Sequence, residues 1–149
     1  GSSKDEMKRV VNFTASKLND KRPVHLLGIG DPIDIWSFVE EGIDTFDCVS
    51  PTRLARHGSA LIKGKNKKIN LKNNKYKANL NPIDNQCSCY TCKNFSTSYL
   101  HHLLLSQELL ALQLITAHNV FFMNNLMRDI RKSINDNNFK DKKKEWINC

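Results

Sequence analysis

The sequence lacks a long apolar run. No stretch approaches the roughly 20 residues that a membrane-spanning helix needs, and the N-terminus has no apolar segment of the kind found in a secretory signal peptide. We therefore expect no membrane span. With 149 residues, of which 40% are hydrophobic and 26% charged, the chain has the composition of one globular domain or part of one.

Acidic residues are in the minority, with 15 Asp and Glu against 23 Lys and Arg and a formal net charge of +8. Such a balance favours an anionic partner, of which RNA is the leading candidate. The basic residues are dense between positions 63 and 77 (KGKNKKINLKNNKYK). The alternative interpretation of this segment is a solvated loop rich in lysine and asparagine.

Cysteine is scarce outside one short segment. Of the five cysteines, three lie at Cys87, Cys89 and Cys92, and the others are Cys48 and Cys149. An odd number of cysteines with clustered thiols indicates a reducing compartment and not a disulfide framework. We therefore expect a cytoplasmic protein.

The C-x-C-x-x-C spacing brings three sulfur atoms onto one turn, where they can bind a tetrahedral ion. A fourth ligand must come from elsewhere, and His118 is the candidate. Three thiolates and an imidazole are a common ligand set of structural zinc. Because four protein ligands leave no open position for water, the zinc would be structural. The alternative is three reduced or disulfide-bonded cysteines without a metal, although Cys87 and Cys89 are badly placed to bridge each other.

The first third of the chain has the pattern of a βαβ unit. A helix is predicted over residues 5–19, before a break at 19–23. A strand over 24–27 is followed by a helix that Asp31 caps and that stops at Gly42, and a second strand covers 44–49. The two strands should be parallel. Since two parallel strands cannot cover their own faces and edges, the chain is expected to be the end of a larger α/β domain. Gly1-Ser2-Ser3 has the character of an expression scar or of an internal start point.

The remainder is predicted to be mainly helical. Two short antiparallel strands, 60–62 and 69–71, flank the basic segment. A residue among Ser96, Thr97 and Ser98 should cap an amphipathic helix that runs to about 116. His118 and Asn119 are placed at a junction before a last helix over 119–135, and residues 140–144 are expected to fray.

Asp47 stands at the C-terminal end of the second predicted strand, between apolar neighbours. A carboxylate there is costly without a partner or a role, and (β/α)8 barrels place catalytic groups at this end of their strands. The alternative is an aspartate that caps the turn toward Thr52 or Arg53. Arg53 and Arg56 suit phosphate binding, but ion pairs with Asp47 or Asp44 would also explain them.

Five motifs together resemble the C-terminal part of the tRNA-guanine transglycosylases, also called queuine tRNA-ribosyltransferases. They are Leu26-Leu27-Gly28-Ile29-Gly30, the segment FDCVSPTRLAR from Phe46 to Arg56, the C-x-C-x-x-C motif, Tyr99-Leu100-His101-His102, and His118-Asn119. The resemblance covers roughly residues 22 to 140. The segment from Arg56 to Leu61 (RHGSAL) is closer to the eukaryotic catalytic subunit than to bacterial forms.

The resemblance implies the C-terminal part of a (β/α)8 barrel, with a zinc subdomain inserted after the last strand and C-terminal helices. It implies exchange of guanine at the tRNA wobble position for queuine or a related 7-deazaguanine, with a partner subunit that is identical or different. The implied roles are nucleophile for Asp47, base-pocket lining for Leu27 and Gly28, tRNA contact for Arg53 and Arg56, and zinc binding for Cys87, Cys89, Cys92 and His118. Many bacterial members have methionine where this chain has Leu27.

One departure from the family is important. The family's acid/base aspartate and most of its base-recognition residues lie N-terminal to anything present here, so this segment alone is expected to be inactive. The alternative function is a non-catalytic, zinc-stapled module for tRNA binding and dimerisation.

The expected organisation is an N-terminal helix (1–21), the last βαβ part of the barrel (22–56), a basic β insertion with the zinc knuckle (57–95), C-terminal helices (96–136) and a charged tail (137–149).

Overall fold

The computed structural model describes residues 3–18, 22–64 and 67–148. Gly1 and Ser2 of the possible expression scar and positions 19–21 of the predicted helix break lie outside the described residues. The chain forms two compact units, residues 1–49 and 50–149. The first contains helix α1 (Lys4–Lys17), strand β1 (His25–Leu26), helix α2 (Pro32–Glu40) and strand β2 (Thr45–Phe46).

The first unit contains the predicted parallel βαβ arrangement. Strands β1 and β2 pair in parallel, with His25 opposite Thr45 and Leu26 opposite Phe46. Both strands are shorter than predicted. The Asp31 side chain accepts a hydrogen bond from the backbone N–H of Ile33, as expected of a helix cap. The chain turns after α2 at Gly42, whose φ of +94° suits glycine.

The core of the first unit is small and lies where α1, α2 and the strands meet. Val11, Phe38 and Ile43 are buried in it. Partly buried apolar side chains surround these three, namely Met7, Val24, Leu26, Ile29 and Phe46. This packing fixes the register of the two strands and therefore the positions of the residues that follow them.

The second unit is mainly helical and carries the larger core. Its elements are helix α3 (Ser50–Arg56), strands β3 (Ser59–Leu61) and β4 (Lys68–Asn70), a 3-10 turn (Asn74–Tyr76), and helices α4 (Tyr90–Asn94), α5 (Thr97–Leu105), α6 (Leu109–Asn135) and α7 (Phe139–Asn148). The two strands are antiparallel, as predicted. Leu71, Leu100 and Ile115 are fully buried between the helices and this hairpin. Together the units make an α-rich α/β structure.

The predicted boundary between the two long helices was wrong. Ser96 does cap α5, since its Oγ accepts a hydrogen bond from the N–H of Tyr99. However, α5 already ends at Leu105 and α6 begins at Leu109. Gln107 makes this break with a φ of +58°, a conformation that non-glycine residues seldom adopt. His118 and Asn119 therefore lie inside α6 and not at a junction.

The expectation of a frayed C-terminal tail was also wrong. Residues 140–144 are part of α7, which Trp146 anchors. The Trp146 ring is buried against Phe122, with ring centroids 5.4 Å apart. Its Nε1–H donates to Asp129 Oδ2 at 2.9 Å, and the Lys63 ammonium lies 4.4 Å from the ring centroid. These contacts of Trp146 anchor the lysine-rich helix.

None of the helices within the described ranges is both long and apolar enough to cross a membrane.

Candidate functional site

Three cysteines and one histidine converge in the second unit. The ligand atoms of Cys87, Cys89, Cys92 and His118 all lie within 4.8 Å of one another. His118 Nδ1 is 3.7 Å from the sulfur of Cys87, 3.5 Å from that of Cys89 and 3.4 Å from that of Cys92. Cys89, Cys92 and His118 are buried and Cys87 is partly buried. These four side chains are positioned to bind a metal ion.

The cysteine motif forms the N-terminus of α4. Cys89 occupies the cap position, and its sulfur accepts a hydrogen bond from the backbone N–H of Cys92 at 3.3 Å. The sulfur of Cys92 thus lies one turn after that of Cys89 on the same side of the helix start. Thr91 between them ties α4 to α6, because its hydroxyl donates to the carbonyl of Leu114 at 2.6 Å.

His118 reaches the cysteines from the middle of α6. Its Nε2 lies 2.9 Å from the carbonyl oxygen of Leu61 in β3. Since a carbonyl can only accept, Nε2 carries the proton and Nδ1 presents its lone pair to the sulfur atoms. This hydrogen bond from the second nitrogen is the usual way in which proteins orient a histidine that binds a metal.

The electrostatics of the cluster favour a cation. A hydrogen bond from Cys92 lowers the pKa of the Cys89 thiol to about 3, and the same bond raises the pKa of Cys92. Burial raises the pKa of Cys87. Three adjacent thiols cannot all ionise unless a positive charge lies between them. The donor set is the one that zinc prefers in closed, four-coordinate sites.

Asn119, next to His118, is fully buried and holds the framework behind the cluster. Its Oδ1 accepts from the N–H of Leu61 at 2.8 Å, and its Nδ2 donates to the carbonyls of Pro51 and Ser59 at 2.9 and 3.0 Å. One side chain therefore joins α6, β3 and the start of α3. This role of Asn119 was not predicted from the sequence, where the signal available was the pair of polar residues His118-Asn119 within an apolar segment.

Replacement of Asn119 by alanine should lower the free energy of unfolding by about 2–4 kcal/mol, because it leaves buried backbone groups without partners. Chemical denaturation of both proteins would measure the difference. Asn124→Ala is the matched control, since Asn124 is exposed on the same helix, and it should change stability by less than about 0.5 kcal/mol. Equal stability of the two variants would contradict this role of Asn119.

Asp47 directly follows β2 in the first unit. Its Oδ1 accepts a hydrogen bond from the backbone N–H of Gly28 at 3.1 Å and lies 3.3 Å from Nε2 of His25. Gly28 has a φ of +74°, so its N–H can turn toward the end of the neighbouring strand. Asp47 is thus bonded to residues of the parallel strand beside it.

The surroundings of Asp47 keep the carboxyl group ionised. The hydrogen bond from Gly28 lowers the pKa of Asp47, and His25 lowers it further. The side chain is 62% exposed. An ionised, accessible carboxylate at the carboxyl end of a parallel strand can act as a nucleophile or as a proton acceptor.

A comparison with known families shows which proteins the chain is similar to. The family model described as queuine tRNA-ribosyltransferase matches residues 1–149. The chain belongs to this family.

Curated queuine tRNA-ribosyltransferases from three bacteria illustrate the similarity. The protein of Roseiflexus sp. is 46% identical over 149 residues, that of Dictyoglomus turgidum 43% over 147 and that of Fusobacterium nucleatum 40% over 147. Each alignment covers 99% of this chain but only 37%, 37% and 39% of the respective relative. The chain thus spans about two fifths of the length of these relatives, and its α-rich α/β fold fits the C-terminal part of such a queuine tRNA-ribosyltransferase. The expected closeness to the eukaryotic subunit stays a prediction.

The other residues predicted for this family site lie on two elements. Leu27 and Gly28 follow β1, and the Leu27 side chain is 75% exposed. Arg53 and Arg56 are exposed on α3 in the second unit, three residues apart. Gly28 and Asp47 are brought together by a hydrogen bond. The functional roles of these residues stay predictions.

His25 was not identified from the sequence as a residue of the candidate site. It stands in β1 opposite Thr45 of β2, and both side chains lie on the side of Asp47. The signal available in the sequence was a polar residue two positions before Leu27 in an otherwise apolar strand.

Proposed function

We propose that this chain is the C-terminal segment of a tRNA-guanine transglycosylase. The complete enzyme would exchange guanine at the wobble position of a tRNA anticodon for queuine or a related 7-deazaguanine. The observation that carries the proposal is the Asp47 carboxylate, which is ionised, exposed and bonded to Gly28 at the strand ends. It occurs in a chain that matches the family over its whole length.

Asp47 would be the nucleophile of two successive displacements. A carboxylate oxygen bonds to C1′ of the ribose while the bond from C1′ to the guanine nitrogen breaks, and the leaving base keeps the electron pair. The incoming base then bonds to C1′ and releases the carboxylate, so that the original anomeric configuration is restored. The acid/base group that exchanges protons with the two bases would come from the part of the enzyme that precedes this segment.

The two parallel strands of the first unit would be the last strands of a (β/α)8 barrel. Their exposed strand ends then lie at the face where barrels of this type carry their active sites. Leu27 and Gly28 would line the base pocket. Arg53 and Arg56 would contact phosphate groups of the tRNA, since guanidinium groups bind phosphate in a bidentate manner.

The metal would be zinc with a structural role. Cys87, Cys89, Cys92 and His118, whose ligand atoms lie within 4.8 Å of one another, would fill the four positions of a tetrahedral ion and leave none for a substrate. The residues themselves hold α4, α6 and the β3–β4 hairpin together, the last through the bond of His118 to Leu61. Clustered thiols of this kind are kept reduced in the cytoplasm, where we place the enzyme.

A second candidate function is a non-catalytic module that binds tRNA and a partner subunit. A partly exposed aromatic cluster beside the metal ligands favours a protein partner: Phe95, itself partly buried, stacks on Tyr99 at 5.4 Å and meets Tyr90 edge-on at 5.8 Å. Tyr90 is 65% exposed. The retained carboxylate at position 47 favours the enzyme, and the two functions are compatible if the partner is a second subunit.

Incorporation of radiolabelled guanine into cognate tRNA tests the proposal. The full-length protein that carries this segment should exchange guanine, whereas residues 1–149 alone should not, because the acid/base and base-recognition groups would come from the preceding part of the enzyme. Tight tRNA binding by the full-length protein without exchange would favour the binding module. Guanine exchange by residues 1–149 alone would contradict the proposal that the preceding part of the enzyme is required for activity.

A further inference from the structure

His25 forms a hydrogen-bonded chain with the two residues of β2 that face it. Its Nδ1 lies 2.8 Å from the hydroxyl of Thr45, and its Nε2 lies 3.3 Å from Asp47 Oδ1. The parallel register places His25 directly opposite Thr45. The position of the imidazole is thus fixed by the strand pairing and by one hydroxyl group.

The direction of these hydrogen bonds follows from their chemistry. An ionised carboxylate can only accept, so Nε2 of His25 must carry the proton that lies between it and Asp47. In the neutral imidazole Nδ1 is then an acceptor, and the Thr45 hydroxyl donates to it. The Asp47 carboxylate therefore selects the tautomer in which Nε2 of His25 donates, and the Thr45 hydroxyl can donate to Nδ1 in that tautomer.

The two oxygen atoms of Asp47 are not equivalent. Oδ1 faces two donors, Gly28 N at 3.1 Å and His25 Nε2 at 3.3 Å. Oδ2 accepts no hydrogen bond from any other residue within the described part of the chain. Among the described residues other than Asp47 itself, the donors thus converge on Oδ1 and leave Oδ2 the less engaged oxygen.

We infer that His25 is a positioning residue that holds Oδ1 of Asp47 and so presents Oδ2 as the oxygen that bonds to the ribose. This inference rests on the proposed function. When Oδ2 bonds to C1′, Oδ1 becomes the carbonyl oxygen of the ester and keeps both donors. When the incoming base displaces the ester, the electron pair of the C1′–Oδ2 bond returns to the carboxylate, and the same donors stabilise that charge.

The test compares two substitutions at this position in the full-length enzyme. His25→Leu removes the donor, and kcat for guanine exchange should fall roughly tenfold or more, in line with the loss of a hydrogen bond to a charged group. His25→Gln places an amide N–H near the former Nε2 and should retain kcat within about threefold. The Kd for tRNA should not change in either variant, because His25 acts on the nucleophile and not on the RNA.

The outcomes separate this inference from the proposed function. A wild-type enzyme without exchange and without a covalent tRNA adduct would remove the proposed function itself. An active wild-type enzyme with an equally fast His25→Leu variant would overturn the inference alone. The inference would also be overturned if His25→Gln exchanged guanine as slowly as His25→Leu while both variants had the thermal stability of the wild type. In that case the hydrogen-bond donor at position 25 would not account for the loss of activity.

Discussion

Removal of the metal should unfold the region around Cys87, Cys89, Cys92 and His118, at least over residues 85–120. Without a cation between them, the three adjacent thiols cannot all be ionised. The bonds from the thiolates and the imidazole to the metal, which hold the four side chains together, are then lost. Zinc-finger peptides gain roughly 10–16 kcal/mol from their metal, while the whole stability of a typical domain is about 5–15 kcal/mol. The lost metal binding energy is therefore comparable with the whole stability of a domain, and we expect this region to unfold without it.

The expected result is a loss of helical circular dichroism on chelation, with hydrogen exchange that becomes fast in α4, α5 and the first half of α6. Metal analysis should find one equivalent of zinc per chain before chelation. Cys89→Ser should behave like the chelated protein, whereas Cys48→Ser is the matched control, because Cys48 lies in the other unit and outside the cluster. A spectrum that stays the same after verified metal loss would refute a stabilising metal.

Substitution of Asp47 by asparagine should reduce guanine exchange by the full-length enzyme on the order of a thousandfold or more. The amide retains an oxygen that can accept from Gly28 and His25, so the strand ends should keep their structure. A neutral amide, however, is too weak a nucleophile to capture the ribose carbon. Initial rates of labelled guanine incorporation measure the effect.

Asp34→Asn is the matched control for this substitution. Asp34 is an aspartate of the same unit whose partner is the exposed Lys4, at 2.8 Å, and surface pairs of this kind contribute little. The guanine-exchange rate of the Asp34→Asn enzyme should remain within about twofold of that of the wild type. Unchanged exchange by Asp47→Asn would show that another residue attacks the ribose.

The metal cluster and the parallel strands could be predicted because their signals are local. Three cysteines within six positions leave few alternatives to a metal, and the capped helix from Asp31 to Gly42 between two apolar runs defines a βαβ unit. The barrel that would contain these strands could not be derived in this way. It follows only from the resemblance to the family.

The helix boundaries could not be predicted because tertiary contacts overrode local preference. His118 and Asn119 resemble helix-end residues by type. In the structure both are buried in the middle of α6, where hydrogen bonds to the backbone of β3 satisfy them. The true break at Gln107 has neither glycine nor proline to mark it.

The bonding of Asp47 was only partly predictable. The sequence places a carboxylate at a strand end, but the identity of its partners depends on strand register. A shift of one residue would have turned His25 to the other face of the sheet. The observed pairing of His25 with Thr45 is what brings the imidazole to the carboxylate.

The most direct test of this account is to locate the covalent bond to tRNA. The full-length enzyme would be incubated with cognate tRNA in the absence of a free base, denatured, digested with nuclease and trypsin, and analysed by tandem mass spectrometry. Trypsin should release residues 22–53 as one peptide, because it cleaves after Lys21, does not cleave the Arg22–Pro23 bond, and finds its next lysine or arginine at Arg53. We predict a ribose-linked mass increase on Asp47. A stable adduct on any other residue of the enzyme would contradict the account.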